Sequence, residues 1–160
     1  MIEMTYQDAR NFASNRELIT NLIQAKMPFK TAYQMRKILD AIGVKAQEFE
    51  LFEKNLQKGV AEKYGEKDAE GKLVFELPEG ETHADNKILK FTEEGRGLAS
   101  KEMFMGISEM AKKTFSIPRT KVSFDEVEMK IGLQDMMLLD MIVADFENVT
   151  VSDPENEASA

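Results

Sequence analysis

The chain has 160 residues and a formal net charge of −8, from 21 Lys and Arg against 29 Asp and Glu, and it contains no cysteine. That length supports one domain with its own core, the charge disfavours a phosphate-binding surface, and the missing thiols exclude disulfides, thiolate metal sites and a cysteine nucleophile. Apolar residues at 42% mark a chain that folds, and since five acids and no base follow Ala144, residues 1–144 are left at −3, too balanced for a DNA mimic.

In chain order, Thr5 with Asp8 three residues on reads as a capped helix start, and Leu18, Ile19, Leu22 and Ile23 continue an apolar stripe as far as Lys26. Pro28 breaks that helix, and Thr31 is placed to cap a second one. Met35, Ile38, Leu39, Ile42, Ala46, Phe49, Phe52, Leu56 and Val60 follow at spacings of three and four. Continuous to Tyr64, this helix would be about 50 Å long. Gly43 either bends it or weakens it by about 1 kcal/mol. The short link at Pro28 predicts an antiparallel helical hairpin. Its far end then has to find an apolar partner elsewhere in the chain or in a second copy, as in a coiled coil.

Gly65 suits a helix C-terminus, and Glu66 to Gly71 reads as a polar turn. Lys72 to Leu77 and Ile88 to Phe91 predict a β-hairpin with a long acidic connection after Pro78. The run EEGRG at 93–97 reads as a breaker before a helix from Leu98 to Phe115 with its cap at Ser100. Val122, Phe124, Val127, Met129 and Ile131 then alternate as strand, with a slip in parity that a turn or bulge at Asp125-Glu126 explains. After Gly132 an apolar helix carrying Met136, Met137, Met141 and Phe146 closes the fold. No stretch approaches the roughly 18 apolar residues of a membrane span, and no basic leader with an apolar run is present, so neither export nor membrane insertion is expected.

The chemistry on offer is thin. Glu81, His83 and Asp85 surround the single histidine, but one nitrogen donor without a second nitrogen or sulfur makes a poor transition-metal site, and an exposed polar loop is the simpler reading. Ser100 and Ser123 lie in no nucleophile-elbow sequence. Gly95 and Gly97 complete neither a P-loop nor a dinucleotide fingerprint. Acid pairs such as Asp125 with Glu126 are expected by chance in so acidic a chain. No catalytic residue, cofactor site or metal ligand is therefore assigned. The eleven methionines read as core filler at helical spacing, with a pliable docking face as the other reading.

Met27 to Leu39 (MPFKTAYQMRKIL), the block EKYGEKDAEGKLVF at Glu62 to Phe75, and a strand at KVSFDEVEMKI followed by a closing apolar helix together span most of residues 5–147. In these stretches the chain resembles a small family of proteins of unknown function encoded by tailed bacteriophages and prophages. It departs from that family's pattern in a longer segment from Pro78 to Gly97 and in its acidic tail. The resemblance implies a phage setting, in the host cytoplasm or the virion, and supplies no catalytic residues.

These readings combine into a single α+β domain over residues 1–147: a helical hairpin at about 5–64 with a long second helix, a β/α part at about 72–147 with a small antiparallel sheet and C-terminal helices, and a flexible acidic tail over 148–160. The expected work is non-enzymatic protein–protein interaction, as a phage accessory or virion-assembly component. The interacting residues would be Phe49, Phe52, Leu56, Val60, Met136, Met137 and Met141. Self-association is the simplest partner choice, and neither nucleic acid nor membrane is expected. The rival readings are an acidic inhibitor of a host enzyme such as a defence nuclease, and a small hydrolase uniting His83 with acids of residues 121–131.

Overall fold

Ile2 and Met4 alternate with polar neighbours, and in the computed structural model, which describes residues 1–147 and 150–152, they are the buried side chains of a strand, β1 (Ile2–Thr5). The chain then turns into α1 (Tyr6–Ser14) through a complete capping box. Thr5 Oγ1 accepts the Asp8 N–H at 3.1 Å, and Asp8 Oδ2 accepts the Thr5 N–H at 2.9 Å. One helix was expected up to Lys26, but there are two. Asn15 ends α1, its N–H reaching the Phe12 carbonyl, and starts α2 (Arg16–Gln24), its Oδ1 accepting the Leu18 N–H at 3.0 Å. Helix α3 (Phe29–Tyr64) follows. It begins at Pro28, whose carbonyl accepts the Ala32 N–H, so Thr31 lies inside the first turn instead of capping it.

The remaining elements are β2 (Phe75–Glu76), β3 (Ile88–Leu89), α4 (Glu93–Lys112), β4 (Thr114–Ile117), β5 (Val122–Asp125), β6 (Glu128–Lys130), α5 (Leu133–Leu139), β7 (Val143–Glu147) and β8 (Thr150–Ser152). Together they make the expected α+β fold, but the long helix is the third, and the expected closing helix ends at Leu139, so that Met141 lies beyond it and Phe146 falls in β7. The flexible tail expected from residue 148 gives way to β8 at 150–152, and residues 153–160 lie outside the described residues.

The chain divides into two compact units, one of residues 1–49 with 111 onward, the other of residues 50–110. The division falls at Phe49/Glu50 within α3 and at Met110/Ala111 near the end of α4. The two halves of α3 bury their apolar side chains against different parts of the chain. In the first unit Met35, Ile38 and Ile42 join Phe12, Leu18 and Leu22 in a core with Phe124, Val127, Leu139 and Ile142. Strand β1 pairs antiparallel with β4, Ile2 opposite Ile117. The expected small antiparallel sheet is met by β1 with β4 and by β2 with β3, while β5 with β7 and β6 with β8 pair parallel. Parallel strands need a crossover, and α5 lies within the chain that connects β5 to β7. The parity slip has the expected origin: Glu126 adopts φ 54° in the turn between β5 and β6, so Val122, Phe124, Val127, Met129 and Ile131 all come to the buried side.

In the second unit, Leu56 of α3 packs against Gly106 of α4, where a Cβ would lie 2.6 Å from Leu56 Cδ2. The expected hairpin is present but short, with Phe75 opposite Leu89 and Glu76 opposite Ile88. Three extended segments close on one another beside it. Glu66 N–H donates to the Lys90 carbonyl, Lys90 N–H to that of Val74, and Val74 N–H to that of Glu66, each at 2.9 Å. The turn at Asp68 is held by its own carboxylate, which accepts the Glu70 and Lys72 N–H groups, and Gly71 supplies the φ of 78° that closes it.

Candidate binding groove

Helix α4 starts earlier than expected. Thr92 Oγ1 accepts the Gly95 N–H at 3.0 Å, so Thr92, not Ser100, is the cap, and the supposed breaker EEGRG is the first helical turn. Gly95 is buried, and a Cβ there would meet Thr92 Oγ1 at 2.6 Å and the Tyr64 carbonyl oxygen at 2.8 Å. The end of α3 and the start of α4 are therefore held close, and Arg96, Ala99, Ser100 and Met103 are brought along one wall of a groove.

This groove, 1030 Å³ in volume, is the larger of two depressions described among these residues. Lys54 and Lys58 of α3 form a second wall, Leu73, Phe75 and Ile88 form a third, and Val60 and Phe91 lie at the floor. Phe75 and Ile88 are 54% and 49% exposed, a large apolar area for two short strands to leave in water. Every charged residue in the lining is a base: Lys54, Lys58, Lys87 and Arg96. Among the described residues none of these four forms an ion pair, whereas Lys63, Lys72 and Lys90 of the same unit pair with Glu102, Glu70 and Glu66.

The other depression, 490 Å³, belongs to the first unit and lies among α1, α2 and the start of α3. Its lining is apolar apart from Arg36 and Asp40.

The residues expected to interact are scattered. Phe49 is fully buried in the first unit, with the Tyr6 ring 6.5 Å away and the Arg10 guanidinium 5.2 Å from its centroid. Phe52 and Leu56 are half-buried in the second unit, and Val60 is buried at the groove floor. Met136 and Met141 pack against the core of the first unit as filler, while Met137 stands 74% exposed. The far end of α3 thus has its apolar partner in α4, which removes the reason for covering it with a second copy. Sequence reading missed the groove because its cations come from three separate segments. The one available signal was that Lys54 and Lys58 share a face of α3.

Two surface clusters shift titration through hydrogen bonds, since among the described residues no fully buried side chain is polar. Glu48 accepts Lys45 Nζ and the Tyr6 hydroxyl, both at 2.8 Å, which lowers its pKa and raises those of Tyr6 and Lys45. In the second unit Glu102 accepts the Tyr64 hydroxyl at 2.7 Å and Lys63 Nζ at 2.9 Å. Its pKa is lowered, and Lys63, beside Tyr64 and Glu102, is pushed up to about 12. Both trios tie a helix to a neighbouring element. The loop around His83 is likewise self-satisfied: Glu81 accepts the His83 and Thr82 N–H groups and the Asn86 amide, which lowers its pKa. Among the described residues no three of His, Cys, Asp and Glu gather to hold a metal ion, and no helix is long and apolar enough to cross a membrane.

No family model matches the chain, and neither a curated protein nor a solved structure matches it.

Proposed function

We propose that the chain is a non-enzymatic protein-binding module whose working surface is the groove of the second unit. The observation that carries this reading is the exposure of Phe75 and Ile88 beside an apolar floor that includes Val60 and Phe91. Burying two half-exposed side chains of this size favours association by about 1–2 kcal/mol. The resemblance of Met27–Leu39 and Glu62–Phe75 to tailed-phage proteins supports a place for this binding in phage assembly or in an accessory step within the host. An acidic inhibitor of a host enzyme, by contrast, requires a dense carboxylate face, and this groove presents cations.

The test is affinity capture from cells making the whole phage complement, with the native chain and a Phe75→Ser, Ile88→Ser chain as baits. Both replaced side chains are exposed, so the variant keeps its fold by circular dichroism. The reading predicts a phage-encoded protein that the native chain retains and the variant loses. Identical captures by the two baits contradict it.

A further inference from the structure

We infer that the groove of the second unit receives an acidic segment of its partner, whose carboxylates meet Lys54, Lys58, Lys87 and Arg96 while its apolar side chains meet the floor. This rests on the reading of the groove as a protein-binding surface and adds the chemistry of what binds. The chain carries more acids than bases, 29 against 21, yet the groove lining holds four bases and no acid. Three acids of this unit, Glu66, Glu70 and Glu102, pair with lysines outside the lining. Four like charges around one groove repel one another, and an anionic occupant relieves that repulsion.

The form of the occupant follows from the arrangement of charge. Lys54 and Lys58 stand one turn apart on α3, Arg96 is on α4 and Lys87 precedes β3, so the cations surround the groove instead of converging on one point. A single carboxylate, as on a fatty acid, satisfies one or two of them. A nucleic acid brings enough charge but has no aliphatic side chains to lay against Val60, Leu89 and Phe91. A peptide with acidic and apolar side chains interspersed meets both demands.

The experiment uses the full chain and three labelled peptides with the same leucine and serine positions, whose remaining positions are all glutamate, all glutamine or all lysine. Binding is read by fluorescence anisotropy at low and high salt. The glutamate peptide is expected to bind about tenfold tighter than either of the others, and added salt to narrow that gap. Lys54→Glu with Lys58→Glu lowers its affinity by about tenfold and improves that of the lysine peptide, while Lys101→Glu, an exposed α4 change outside the lining, leaves affinity within about twofold. Equal binding of all three peptides, or equal losses in the groove pair and in Lys101→Glu, overturns the acidic partner and leaves a groove without charge preference. Binding of none overturns the protein-binding reading as well. Capture of laurate in place of the glutamate peptide, lost in the Lys54→Glu, Lys58→Glu chain, assigns the groove to a small amphiphile and also overturns the proposal.

Discussion

Gly95 and Gly97 lie two residues apart in α4 and obey opposite constraints. Nothing stands within 4 Å of a Cβ at Gly97, so Gly97→Ala gains the helix propensity of alanine and raises stability by about 1 kcal/mol. At Gly95 the added methyl meets the Tyr64 carbonyl oxygen, a backbone atom that cannot swing aside, so Gly95→Ala lowers stability by about 1–3 kcal/mol despite the same propensity gain. Urea midpoints of the two variants check this, and equal shifts count against the close approach. Glu126 is the non-glycine residue with positive φ among those described, so Glu126→Val costs about 1–2 kcal/mol while Glu126→Gly is neutral or stabilising by the same measurement. The Glu48 cluster sets a pH dependence. The folded-state pKa of Glu48 lies below its ordinary 4.5, so the stability it contributes is present above that value and is lost as pH falls through the folded value. Tyr6 is raised above 10.0, so its contribution holds below that pH and is lost as pH rises through its folded value. Stability measured against pH should therefore fall less steeply on the acid side in Glu48→Gln than in the native chain, and unchanged slopes dismiss the cluster as a titrating element.

At the scale of elements, α3 shows what the sequence discloses and what it conceals. Its apolar spacing marked one helix from Pro28 to Tyr64, and the capping box at Thr5 and the bend at Glu126 were equally readable, because each is a local pattern with a local cause. The break at Asn15 was readable too, since Asn followed by Glu two residues later is a helix-start signal, but the continuing stripe through Leu22 hid it. Strand β1 was too short to stand out, and Thr92 was overlooked as a cap because two glycines follow it. The parallel pairing of β5 with β7 and β6 with β8 is fixed by the crossover through α5 and has no local signature. Nor did the stripe of α3 reveal that its two halves serve different units. Residues 35–49 bury Met35, Ile38, Ile42 and Phe49, whereas beyond Phe49 only Val60 is buried, with Phe52 and Leu56 half-buried. Native-state hydrogen exchange should then show the α3 amides of residues 54–64 exchanging faster than those of residues 38–49. Uniform protection along the helix would mean that α3 opens as one element.

For the whole molecule, the proposed division of labour puts the binding surface on residues 50–110 and the larger core in the unit of residues 1–49 and 111 onward. Val60 and Phe75 stood out in the sequence as parts of a helix stripe and a strand, but the lining is drawn from α3, the hairpin and α4, and only the fold unites them. The most direct test is an amide chemical-shift titration of the full chain with the glutamate peptide. Perturbations are expected to be confined to the groove, at Lys58, Ile88, Leu89, Arg96 and Ser100, and to saturate together. Shifts centred instead on Ile19, Ile23 and Met35, which line the cleft of the first unit, would contradict it and move the binding surface to the other unit.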